Sequence, residues 1–171
     1  MDETIRRCID TDFDAMYEII NDAAQAYKGI IPEDLWHDPY MGRAELKHEI
    51  EDGVVFWGLE IGGTLMGVMG MQDKGEVTLI RHAYTRTAKR NRGIGTRLLK
   101  HLEHMSDKPI LVGTWTAASW AVAFYQKNGY RLVSLEEKSR LLKTYWSIPE
   151  KQVVSSVVLA EGSWKGLSYE E

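Results

Sequence analysis

A chain of 171 residues with 44% hydrophobic and 27% charged residues has the size and balance of one globular domain. Its 21 Lys and Arg against 25 Asp and Glu give a formal net charge of −4, so no global positive field favours nucleic acid or an anionic membrane surface. Cys8 is the only cysteine, which excludes an intrachain disulfide; no apolar run is long enough to span a bilayer, and residues 1–8 lack the pattern of a secretory signal, so the expected compartment is the cytoplasm.

Taken in chain order, residues 4–9 read as a first strand, and Thr11 with Asp14 three positions on is an N-cap signature opening a helix with an apolar stripe of Phe13, Met16, Tyr17, Ile20 and Tyr27. Residues 28–40, holding Pro32, Pro39, Trp36 and Tyr40, read as an ordered loop, and residues 43–51 as a second, shorter helix. The β-prone runs 54–61 and 64–72 flank Gly62-Gly63, a pair suited to a tight hairpin turn, and 76–85 is a third strand of the same sheet. After a basic turn, Ile94, Leu98, Leu99, Leu102 and Met105 recur at helical period. A buried strand over 109–116 follows, then an Ala-rich helix over 117–128 stopped by Gly129, a strand start over 130–134, a helical insertion over 136–145 and a final strand over 153–159. No repeat or linker interrupts this order, which predicts one α/β domain over 1–160, a mixed sheet covered by helices, and a polar tail over 161–171 carrying Trp164.

The turn Arg90-Asn91-Arg92-Gly93-Ile94-Gly95-Thr96 sits where a strand ends and a helix begins, so backbone N–H groups and the positive helix end converge there. Gly93 and Gly95 let a phosphate approach the backbone, and Arg90 and Arg92 add charge; a glycine-rich turn with merely solvated arginines is the plain alternative. No third glycine stands near Leu98, and no Gly-Lys-Ser or Gly-Lys-Thr closes the loop, so neither a dinucleotide fingerprint nor a Walker A loop is present.

Arg90-x-x-Gly93-x-Gly95 resembles the pyrophosphate-binding motif of the GNAT superfamily of N-acetyltransferases, and the stretch from Ala121 through Phe124-Tyr125 to Gly129-Tyr130 resembles its second signature. The inferred order of elements is also similar to the GNAT fold, a mostly antiparallel, splayed sheet of about seven strands flanked by helices. The resemblance implies acetyl-CoA as acyl donor, with no metal. Its phosphates would lie on 90–96, and its pantetheine arm would pair with the backbone of Ala83, Tyr84 and Thr85.

By the same resemblance Tyr125 is the general acid that protonates the coenzyme A thiolate, a core aromatic beside Phe124 being the alternative. The catalytic glutamate of some members aligns with Leu79 and is absent, which leaves Glu76 as a water-mediated base or a solvated strand-end carboxylate. His82 has a suitable intrinsic pKa, but strict alternation puts it opposite Leu79, Arg81 and Ala83 unless a bulge reverses it. Without a bulge Arg81 faces the acceptor, holding its carboxylate or pairing with a structural acid. An asparagine frequent in the family aligns with Ala118, with Ser119 as a substitute cofactor contact.

His101 and His104 share a helix face with no evident third ligand, so a solvated face explains them better than a metal. The cluster Arg86, Lys89, Arg90, Arg92 and Arg97 fits the phosphates of one cofactor better than nucleic acid. Tyr27, Trp36, Tyr40 and Trp115 come from segments that surround the acceptor entrance in the family, and an aromatic enclosure suits a modest amine. The expected activity is therefore N-acetylation of a small-molecule or amino-acid-like amine. A protein lysine or N-terminal acetyltransferase is the enzymatic alternative, and a non-catalytic acyl-CoA-binding module the alternative of another class. The valines at 153, 154, 157 and 158 fit a strand pairing across a homodimer or one closing a monomer core.

Overall fold

Gly62 and Gly63 take positive φ values of 57° and 84°, the conformation a tight hairpin demands, and join β2 (Val55–Ile61) to β3 (Thr64–Asp73) as an antiparallel pair. The computed structural model describes residues 2–89 and 92–166. Around the hairpin run β1 (Glu3–Arg7), α1 (Phe13–Ala24), α2 (Arg43–Glu51) and β4 (Thr78–Thr85). They are followed by α3 (Ile94–Met105), β5 (Ile110–Trp115), α4 (Ser119–Lys127), β6 (Arg131–Leu132), α5 (Leu135–Tyr145), α6 (Glu150–Val154) and β7 (Ser156–Ala160).

The strands form one seven-stranded sheet in the order β1-β2-β3-β4-β5-β7-β6, antiparallel throughout except for the parallel pair β4 and β5. Helices cover both faces. On one, α3 buries Ile94, Leu98, Leu99 and Leu102 at helical spacing against Leu59, Met69, Ile80, Ile110 and Val112. On the other, α1 packs Met16, Ile19 and Ile20 on Phe56, Leu65 and Val68, and α5 packs Leu141 and Leu142 on Leu79, Leu111 and Val158. Burial of this kind stabilises by roughly 1.5–3 kcal/mol for each large aliphatic side chain.

Three local readings change. Helix α1 begins at Phe13 behind a 3-10 turn over Asp10–Asp12, and Asp12 rather than Thr11 organises the entry. Its carboxylate accepts the Ile9 N–H at 2.7 Å and both terminal nitrogens of Arg6 at 2.8 and 2.9 Å. The span expected as a final strand over 153–159 divides, because Pro149 precedes the short helix α6 and only Ser156–Ala160 pairs with β5. The strand expected over 130–134 shortens to the two residues of β6.

Two irregularities of β4 create the site. Val68 pairs with Tyr84 but Gly70 with Arg81, so three steps on β4 oppose two on β3, and His82 takes a φ of 56° inside this bulge. Gly70 permits it, since a Cβ there would lie 2.8 Å from the Arg81 carbonyl oxygen and 2.7 Å from Val54 Cγ1. Parallel pairing of β4 with β5 ends after Ile80 and Val112, while β5 continues on β7 as far as Trp115. The sheet therefore splays, and Arg81–Thr85 present an unpaired backbone edge toward β5.

Candidate active site

Where the strands part, the α3 face of the splay carries a groove of about 710 Å³, floored by Ala83, Tyr84 and Thr85 and closed by Trp120, Ala121, Phe124, Tyr125 and Lys127 of α4. Its far end is the start of α3, lined by Gly93, Ile94, Gly95 and Thr96 with Lys89 alongside. Gly93 is the N-cap of α3 with a φ of 73°, and the first intrahelical bond runs from the Arg97 N–H to the Gly93 carbonyl at 3.0 Å. The N–H groups of Ile94, Gly95 and Thr96 consequently lack intrahelical acceptors and point at the groove end, an anion site by construction. A Cβ on Gly95 would stand 3.3 Å from Phe124 Cζ, so the glycine also sets how closely α3 and α4 approach.

Arg92 is exposed beside this end, whereas Arg97 is turned away to the Arg92 and Gly93 carbonyls and Glu3. Arg90 and Asn91, which the sequence places in the same turn, lie outside the described residues. The groove length, the row of free amides and the unpaired edge of β4 fit a molecule with phosphates at one end and an amide-bearing arm at the other. Among the described residues, no group of three or more His, Cys, Asp or Glu side chains is placed to hold a metal ion.

Tyr125 lines the groove at 5% exposure, its ring 5.0 Å from Phe124 and 5.7 Å from Tyr130. Burial first, and the neighbouring Tyr27 second, push its phenol above the ordinary tyrosine value, so it is a protonated donor at neutral pH. Tyr27 and Tyr84 line the groove and also a second cavity of about 110 Å³, so their rings form the partition between the two. Tyr40, Arg81, His82, Thr114, Trp115, Trp146 and Ser156 are among the groups enclosing that second cavity. One side of its aromatic wall is held by a hydrogen bond from the Trp115 indole N–H to the Tyr40 hydroxyl at 2.8 Å. Trp36 stacks behind Tyr40 at 5.7 Å and supports the wall without lining it.

Alternation along β4 misplaces one expected residue. The bulge turns His82 to the same face as Arg81, where its ring stacks on Phe56 at 6.0 Å and its Nε2 comes within 3.4 Å of Glu49 Oε1 on α2. Arg81 pairs with an acid, donating to Glu49 at 3.2 Å and to Gln72 at 3.0 Å. Glu76 lines neither cavity and accepts the Tyr145 hydroxyl proton at 2.9 Å, a bond that, after burial, helps push Tyr145 up to about 12. Leu79 is fully buried in the α5 core. Ala118 is buried and Ser119 exposed, and neither lines the groove. The neighbouring Trp120 does, 44% exposed and stacked on Tyr27 at 5.9 Å, although nothing in the sequence motif marked it.

Residues 21–143 match the family described as an acetyltransferase (GNAT) domain. No curated protein matches the sequence significantly. Among solved structures, the PaiA N-acetyltransferase from Thermoplasma acidophilum in complex with coenzyme A is similar with a TM-score of 0.72 at 18% identity, covering 94% of this chain and 99% of that one. A GNAT-family acetyltransferase from Staphylococcus aureus aligns with a TM-score of 0.70 at 16% identity over 94% and 98% of the two chains. The ribosomal-protein-S18-alanine N-acetyltransferase from Escherichia coli aligns at 0.64 and 13% over 98% and 100%. At these identities the structural likeness concerns the fold, while the family match spans most of the sequence and includes the groove, the turn and Tyr125. The chain belongs to the GNAT family of acetyltransferases, and its acyl donor is acetyl-CoA.

Proposed function

We propose that this enzyme acetylates a primary amine of a small-molecule or amino-acid-like acceptor by direct attack, with no covalent enzyme intermediate. The observation that carries this reading is the second cavity: about 110 Å³, enclosed by Tyr27, Tyr40, Trp115 and Trp146, and meeting the donor groove at the Tyr27 and Tyr84 partition. That volume is well below the several hundred Å³ of pockets that take drug-sized ligands. Trp146 adds a specific limit, because its ring packs against the bare Gly113 backbone and caps the cavity.

In this reading Lys89, Arg92 and the amides of Ile94, Gly95 and Thr96 hold the pyrophosphate, and the open edge at Ala83, Tyr84 and Thr85 pairs with the pantetheine arm. A backbone N–H of that edge stabilises the oxyanion that develops on the thioester oxygen. Tyr125 donates its proton to the departing thiolate. Because burial holds the phenol above its ordinary value, transfer to a thiolate is uphill unless the phenolate in turn recovers the proton shed by the acetylated nitrogen. His82 accepts the proton of the incoming ammonium. It is favoured over Glu76 because it lines the acceptor cavity and Glu76 does not.

Thiol release from acetyl-CoA against small amines, amino acids, polyamines and lysine peptides tests the acceptor class. Turnover confined to small amines is expected. Efficient turnover of peptide lysines or N-termini, with none of free amines, would move the assignment to protein acetylation.

A further inference from the structure

Glu49 belongs to no signature of the sequence, yet α2 carries its carboxylate to the bulge of β4. Its side chain is only 15% exposed, and Oε1 is shared between Arg81 at 3.2 Å and His82 Nε2 at 3.4 Å. The His82 nitrogen is buried and lacks an aligned hydrogen bond, and the ring is fixed from behind by Phe56. His82 has a φ of 56°, a left-handed conformation that is costly for a residue with a side chain. The fold accepts that cost to turn this ring from the α3 face to the Glu49 face, and the ring borders the acceptor cavity.

We propose that Glu49 is a positioning residue for His82: it orients the imidazole through Nε2 and stabilises the imidazolium formed when Nδ1 takes a proton from the acceptor ammonium. This rests on acetyl transfer with His82 as proton acceptor. The acceptor R–NH3+ gives one proton to Nδ1, and the freed lone pair forms the N–C bond. The C–S bond breaks with its electron pair leaving on sulfur, which takes the Tyr125 proton; Tyr125 regains a proton from the new amide nitrogen, and His82 releases its own to solvent. One ammonium and one thioester yield one amide, one thiol and one proton.

The arrangement is electrostatically closed. Burial alone would raise the Glu49 carboxyl, but the His82 ring and the Arg81 guanidinium outweigh it and hold Glu49 below the ordinary glutamate value, so the carboxylate is charged across the neutral range. The other titratable groups near the ring are few. His48 lies behind Glu49 on α2, Arg81 stands beside His82 on β4, Asp52 is reached through Gln72, and the phenols of Tyr27, Tyr40 and Tyr84 line the same cavity. On the β2 side the ring meets Phe56. Arg81 stands beside the imidazole and Glu49 is the carboxylate nearest to it, so a positive charge formed on the ring would face Glu49.

The test is the pH profile of kcat/KM, with acetyl-CoA affinity by calorimetry as the check on folding, for wild type, Glu49→Gln, Glu49→Asp and His82→Gln. Glu49→Gln keeps an acceptor for Arg81 while removing the charge. It is expected to move the acidic limb down by about one pH unit and lower the plateau about tenfold, since one pKa unit is a tenfold equilibrium change. Acetyl-CoA affinity should be unchanged. Glu49→Asp, with the carboxylate one methylene farther away, should fall between and provides the measurement if Glu49→Gln does not fold. If His82→Gln removes the limb while both Glu49 variants leave it in place, the positioning role is overturned and the base stands. If His82→Gln keeps the wild-type limb and rate, the proton-acceptor reading itself fails.

Discussion

Trp115 on β5 donates its indole N–H to the Tyr40 hydroxyl at 2.8 Å, tying the end of the splayed strand to the loop after α1 across the smaller cavity. The bond fixes one wall of the cavity that the proposed function assigns to the amine. Trp115→Phe replaces the indole by a smaller aromatic ring and removes the donor, leaving the Tyr40 hydroxyl short of one partner, a loss of about 1 kcal/mol from the hydrogen bond. The expected result is a several-fold rise in acceptor KM with unchanged acetyl-CoA affinity, measured by steady-state kinetics in each substrate.

Gly95→Val should act on the donor instead. The glycine Cβ position is already 3.3 Å from the Phe124 ring, so a branched side chain must displace Phe124 and with it Tyr125, next along α4. Weaker acetyl-CoA binding by tenfold or more, together with a lower kcat, is expected from calorimetry and initial rates. Gly93→Ala should weaken binding less and cost about 1–3 kcal/mol of stability, because its φ of 73° disfavours any side chain.

How much of this was legible follows from how local each signal is. The glycine turn and Tyr125 each sit inside a few consecutive residues whose types suggest a chemistry, and the described residues 93–96 and Tyr125 line one groove. The side His82 faces was not legible by alternation, since the bulge depends on the register of β4 against β3 and on the absence of a side chain at Gly70. Glu49 was invisible for a similar reason: it stands 33 positions before His82, and the packing of α2 brings the two together. At α6 the paired valines 153 and 154 read as strand, while Pro149 followed by Glu150 was the available helix-start signal.

Asp12 gives a prediction independent of catalysis. Its carboxylate, 12% exposed, is held below the ordinary aspartate value, chiefly by the Arg6 guanidinium against a smaller opposing effect of burial. A depressed folded value means the stabilisation is present above the unfolded value near 3.9 and is lost as pH falls through the folded one. Asp12→Asn should therefore cost about 1–3 kcal/mol at pH 7, and the difference from wild type should shrink below about pH 4 in urea melts.

The most direct test of acetyl transfer through this site is thiol release by Tyr125→Phe, run with the preferred acceptor and alongside calorimetric binding of acetyl-CoA. The ring is retained, so the packing on Phe124 and Tyr130 should persist and binding should stay within a few-fold of wild type. A fall in kcat of about 10²–10⁴-fold, the usual contribution of a positioned acid, is the predicted result. Wild-type turnover by Tyr125→Phe would contradict the account, because the thiolate would then leave without the one phenol that lines the groove beside Phe124 on α4.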